Sequence, residues 1–208
     1  MPLVPGQRGR YAGSSAATLL AAYGLTYRVA MVMPRGAGAP LLVREATRDD
    51  AAAVGEVHAE AWRVAHRDLF DAHWLRRLVD ERRTCWPDVM ASRQYARNTL
   101  LLAEREDRVV AFTYFGPHPD GMPDAEVFDL YAHPQAWGTG VAWTLMDAAW
   151  DQLRDARFRR VRAWTMAGAN RARHFYESFG FTQTALSREH DFGDGRPVLE
   201  VEYLRTTR

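Results

Sequence analysis

From residue 41 onward the chain switches between two hydrophobic periods. "LLVREAT" (41–47) is a short apolar block ending at Thr47, with Asp50 three residues on, which predicts a strand followed by a capped helix start. Val54, Val57, Ala61, Ala65 and Leu69 then recur at helical spacing. "WLRRLVDERRTCW" (74–86) predicts a second helix, ending before Pro87. "TLLLAERE" and "RVVAFTYF" bracket Asp107 as a hairpin, and "DAEVFDLYA" (124–132) is a further strand ended by His133 and Pro134. Val141, Leu145, Ala149 and Leu153 form one helical stripe, with Ala142, Met146 and Trp150 beside it. "RRVRAWTM" alternates as a strand, and "NRARHFYESFG" is a short helix closed by Gly180. "FTQTALSREHDF" and "PVLEVEYLRT" make a last hairpin around Gly193-Asp194-Gly195. This order of elements predicts one mixed α/β domain over 41–208.

The first 40 residues read differently. They hold four Arg and no acid, are rich in Gly, Ala, Pro and Ser, and show little periodicity. A flexible extension, a start upstream of Met31 or Met33, and a secretory signal compete; Arg28 interrupts the stretch where a cleavage site belongs, which ranks the signal last. Over the whole chain the net charge is +1, so no overall field favours nucleic acid or an anionic membrane. All 27 basic residues are Arg. The single Cys85 excludes an internal disulfide and a Cys-rich metal site, and a cytoplasmic setting follows as the expectation. No apolar stretch approaches membrane-spanning length.

Chemistry enters at "PQAWGTGVAW" (134–143), where two glycines stand between a strand and a helix. A dinucleotide fingerprint fails because Trp143 occupies the third glycine position, and a P-loop fails because the chain has no Lys. Small residues at 138, 140 and 142 still suit an anion held on helix N-terminal amides. A plain tight turn explains the glycines equally well.

"AGANRARHFYESFGF" (167–181), one strand later, adds a second cluster. Together with the glycine loop and "VFDLYAHP" (127–134), it resembles the GNAT N-acetyltransferase superfamily over roughly residues 41–205, and "VHAEAWRVAHRDLF" (57–70) is similar to the first helix of many bacterial members. The resemblance implies a mostly antiparallel sheet of about six to seven strands with about four helices, splayed at an acyl-CoA site. It implies acetyl-CoA as co-substrate, with Trp137, Gly138, Thr139, Gly140, Val141 and Ala142 around the pyrophosphate. Trp137 departs from the Gln or Arg found there in the family. Leu130, Tyr131 and Ala132 would run beside the pantetheine arm, and a backbone N–H there would hold the oxyanion. Asn170 and Arg173 would contact the cofactor, and Tyr176 would protonate the leaving thiolate. Glu126 is the first choice of base for the amine proton and Asp129 the second. His58, Trp62 and His66, on one face of the first helix, would line the acceptor pocket; two His without a third ligand argue against a metal.

Each residue also has a structural explanation. Tyr176 can be core, Asn170 a helix cap, and Glu126 a strand-end carboxylate. Arg157, Arg159, Arg160 and Arg162 form a basic run that reads as a solvated strand entry, with a cofactor 3′-phosphate as the other use. The expected activity is an acyl-CoA-dependent N-acyltransferase acting on a small-molecule or peptide amine. A non-catalytic acyl-CoA-sensing module is the alternative, neither nucleic acid nor membrane is expected as a partner, and a homodimer stays open.

Overall fold

A computed structural model describes residues 30–32, 40–121 and 123–207. The predicted elements form in the predicted order. Strand β2 (Leu41–Glu45) leads through a 3-10 turn at Arg48–Asp50 into α1 (Ala51–Ala65). Asp50 accepts the Thr47 N–H at 2.7 Å and is itself clamped by Arg44 at 2.7 and 2.8 Å, which fixes the helix entry. Helix α1 ends before Leu69, which lies in a turn closed on His66. Asp71 then starts α2 (Ala72–Thr84) by accepting the amides of His73 and Trp74. Pro87 does not end a helical region. It stands in the first turn of a further short helix, α3 (Trp86–Ala91), where its missing N–H costs nothing.

Strands β3 (Thr99–Arg105) and β4 (Arg108–Pro117) form the hairpin, with Glu106 and Asp107 both left-handed (φ 52 and 57), as a two-residue turn requires. Strand β5 (Asp124–Ala132) precedes α4 (Val141–Asp155), β6 (Arg160–Met166), α5 (Asn170–Ser178), β7 (Thr182–His190) and β8 (Val198–Thr206). At the end of α5, Gly180 N–H bonds Glu177 C=O and Phe181 N–H bonds Tyr176 C=O, the double closure of a glycine-capped helix.

With β1 (Ala30–Val32) at one edge, the sheet order is β1-β2-β3-β4-β5-β6-β8-β7, antiparallel throughout except for parallel β5 and β6. The edge strand β1 comes from within the first 40 residues and pairs with β2; with it the strands among the described residues number eight, one beyond the expectation. The rest of the proposed extension, 1–29 and 33–39, lies outside the described residues. One sheet face packs on α4 and α5 through Leu145, Met146, Leu153, Val161 and Tyr203. The other packs on α1–α3 through Val54, Trp86, Leu102 and Phe112. Each large apolar side chain fully buried in these layers contributes roughly 1.5–3 kcal/mol.

Two irregularities in β5 position the site. Phe115 pairs with Val127 but Tyr114 pairs with Asp129, so Phe128 is an extra, bulged residue. Paired residues share a face. Val127 therefore joins Phe115 toward α4, whereas Asp129 joins Tyr114, and Tyr131 joins Phe112, toward α1–α3. The second irregularity is that β5 pairs with β6 only over Asp124–Val127. Beyond the bulge the two strands part.

Candidate active site

The glycine loop opens onto this gap. Gly138 and Gly140 take φ of 77 and 80, a conformation that side chains rarely adopt. Gly140 is the N-cap of α4, no side chain caps the helix, and no acid lies in its first turn. The ladder begins with Thr144 N–H on Gly140 C=O, so the amides of Val141 and Ala142 lie ahead of it at the positive end of the helix. A Cβ on Gly138 would meet nothing within 4 Å. Thr139 is turned inward, its hydroxyl donating to Ala136 C=O at 2.7 Å. The loop thus presents backbone donors and little side chain, the arrangement that binds phosphate groups.

The parted strand supplies a second set of backbone groups. His133 N–H bonds Val110 C=O on β4. By strand alternation, Ala132 and Leu130 turn their backbone groups away from β4, toward the gap. The Ala132 carbonyl already accepts the Trp137 indole N–H at 2.8 Å. Arg171 stacks on that indole with its guanidinium 4.2 Å from the ring centre.

Three titratable side chains meet on the far side of the gap. Tyr176 is buried on α5, stacked on Tyr203 at 5.7 Å, and its hydroxyl has no hydrogen-bond partner among the described residues. Burial, then the charges of Tyr131, Asp129 and Glu126, push its pKa above the ordinary phenol value, so it holds its proton at neutral pH. Asp129 is half-buried, and burial pushes its carboxyl up to about 6, with Arg82 opposing and Glu126 reinforcing the rise. Tyr131 accepts the Trp62 indole N–H at 3.0 Å and packs on His58 at 4.4 Å. His58 itself accepts the Trp86 indole N–H at 3.2 Å, and His66 packs edge-on to Trp62 at 4.5 Å. His58 and Trp62 thus meet Tyr131 directly, and His66, at the C-terminal end of α1, joins them through Trp62. Among the described residues no group of three or more His, Cys, Asp or Glu is placed to hold a metal ion, and no helix is long and apolar enough to cross a membrane.

Residues 59–181 match the acetyltransferase (GNAT) family. The chain belongs to that family. Solved structures agree with the fold. The PaiA N-acetyltransferase of Thermoplasma acidophilum in complex with coenzyme A superposes with a TM-score of 0.63 at 16% identity, over 78% of this chain and 97% of that one. YncA of Salmonella typhimurium, a putative acetyltransferase with its cofactor acetyl-CoA, gives 0.60 at 20% identity, over 81% and 94%. The mycothiol acetyltransferase of Thermomonospora curvata is 34% identical over 87 residues, 42% of this chain; the match spans 29% of that relative's length.

Within this GNAT fold the sequence-predicted residues divide. Gly138, Gly140, Val141, Ala142, Leu130, Ala132, Tyr131, Asp129 and Tyr176 gather around the gap. Glu126 does not reach it in the same way. It lies ahead of the bulge, where β5 is paired on both sides, and is buried beside His118 at 3.7 Å. Arg173 departs most from expectation. Its guanidinium bonds the Tyr203 hydroxyl, Ala167 C=O and Gln183, so it is spent on protein partners. Asn170 is the exposed first residue of α5 rather than its cap, and Ala169 holds the cap position. In the basic run, Arg160 and Arg162 pair with Asp124, and Arg162 with Glu202. Burial pushes the Cys85 thiol up, away from the reactive thiolate form. An open cavity of about 700 Å³ lies elsewhere, between Trp150, Arg154, Thr182 and Arg205.

The sequence reading missed Arg82. It follows Leu75, Leu78 and Val79 at helical spacing and so falls on the buried stripe of α2, a signal visible in the pattern.

Proposed function

We propose that the protein is an acetyl-CoA-dependent N-acetyltransferase that passes acetyl directly to an amine of a small molecule or peptide. The observation that carries this reading is the open, uncapped α4 N-terminus beside the parting of β5 from β6. The amides around Gly138–Ala142 would hold the pyrophosphate, and the backbone groups of Leu130 with the Ala132 N–H the pantetheine arm. Trp137 would serve as a wall, its indole N–H fixed on Ala132.

The chemistry then falls to this chain's own side chains. The attacking amine must lose a proton, and Asp129, raised to about 6, is a carboxylate at neutral pH yet basic enough to take it. We rank it ahead of Glu126 because it lies beyond the point where β5 and β6 part, whereas Glu126 is flanked by both neighbouring strands and sits beside His118. As the C–N bond forms and the C–S bond breaks, the departing thiolate takes the phenolic proton of Tyr176. Calorimetry with acetyl-CoA and CoA, followed by thiol release over an amine panel, tests the reading. Binding with turnover is expected. Absence of binding would overturn it, and tight binding without turnover on any amine would make the protein a sensing module.

A further inference from the structure

Arg82 is a cation short of partners. Its guanidinium lies 3.8 Å from the Trp62 ring centre and 5.9 Å from that of Phe192. Nη1 makes a long 3.4 Å contact with Leu78 C=O and lies 3.7 Å from Glu81, a half-exposed carboxylate shared with Arg77. Nε is buried with no hydrogen-bond partner, and no bond is seen to Nη2. Arginines with close carboxylates here, Arg44, Arg83 and Arg162, are held above their ordinary pKa; burial pushes Arg82 below it. The deficit extends to its neighbours, since His66 Nδ1 and Trp74 Nε1 are also buried and unpartnered in the same apolar cluster around Trp62 and Phe70. Buried polar groups normally find partners, so three in one cluster call for a common explanation. The cluster adjoins the reacting groups: Arg82 acts electrostatically on Asp129 and Tyr131, and Trp62 touches both Arg82 and Tyr131.

We infer that Arg82 determines acceptor specificity by binding an oxyanion group, carboxylate or phosphate, on the amine that Asp129 deprotonates. The inference rests on the acetyltransferase reading above. A guanidinium fork suits either oxyanion, and the neighbouring rings hold its plane. A neutral amine would leave the cation as it stands; an anionic one would complete it.

The test compares matched acceptors under saturating acetyl-CoA: amino acids against their carboxamides, and phosphoethanolamine against ethanolamine. The wild type should prefer one anionic series by about 10–100-fold in kcat/KM, the range expected of a charge-assisted contact. The favoured pair tells a carboxylate from a phosphate. Arg82→Met, which keeps the stem on Trp62, should abolish the preference through KM while leaving acetyl-CoA affinity and the melting temperature near wild type. Arg82→Lys should restore part of it. Equal use of charged and neutral amines, or acetyl-CoA binding with no anionic amine acetylated, would overturn the assignment and leave the cofactor reading standing. Failure to bind acetyl-CoA would remove both.

Discussion

Replacing Asp129 by Asn separates stability from catalysis at one carboxylate. Burial raises the folded carboxyl from 3.8 to about 6, so the folded state holds the proton more tightly than the unfolded chain. The charged form is therefore disfavoured by folding. Stability is lost as pH rises from about 3.8, where the unfolded chain ionises, to about 6, where the folded group does, and is constant above that. At pH 8 the full shift, close to two units, corresponds to an upper bound of about 3 kcal/mol. At pH 5 about half of that remains, and below about pH 3.5 none. Asp129→Asn removes the buried charge with little change of shape. It should stabilise the protein at pH 8 by about 1–3 kcal/mol, or roughly 2–4 °C per kcal/mol in melting temperature, and the gain should vanish in acid. Activity should move the other way. The wild-type rate should fall below pH 6 as the base is protonated, and the variant should lose this limb together with about 10²–10⁴-fold in rate. Paired denaturant melts at pH 5 and 8, with pH profiles of thiol release, decide the matter. A variant no more stable at pH 8, with the acid limb intact, would refute both the burial argument and the assignment of the base.

Three other outcomes follow from the geometry. Gly140→Val forces a β-branched residue into φ 80 at the α4 N-cap, a strain of about 1–3 kcal/mol, and calorimetry should show loss of CoA binding while the fold persists. Tyr176→Phe removes a hydroxyl with no protein hydrogen bond, so melts should move by less than about 0.5 kcal/mol while kcat falls and CoA affinity holds. Burial, then Arg82, pushes His66 down to about 4, so the folded state resists protonation; about 3 kcal/mol of stability should be lost as pH falls from 6.5 to 4, and pH-dependent melts of His66→Phe should show a flatter profile.

Elements carried by one face were legible in the sequence. The stripe Val141, Leu145, Ala149 and Leu153 is buried as its spacing requires, and Gly180 closes α5 as its position suggests. What periodicity could not disclose was geometry made between elements. Pro87 is a breaker in an interior turn and harmless in a first one, and only the α2–α3 junction shows which applies. Arg173 matched its motif, but β7 and β8 bring Gln183 and Tyr203 to its guanidinium before any ligand arrives. Arg82 was readable as a charge on an apolar stripe, yet only α1 packing against α2 placed it over Trp62.

The bulge at Phe128 makes the site a matter of frame. An unbroken two-residue repeat through β5 would send residues 129 and 131 to the side of Val127, burying an acid and a phenol among Leu145 and Met146. Leu130 and Ala132 would move to the opposite side. Deleting one residue there therefore does more than shorten a strand: it exchanges the two helix-covered faces for everything downstream as far as the glycine loop. Length at this point is as binding a constraint as residue identity, and homologues of this chain should vary in the side chain at 128 far more freely than in the presence of a residue there.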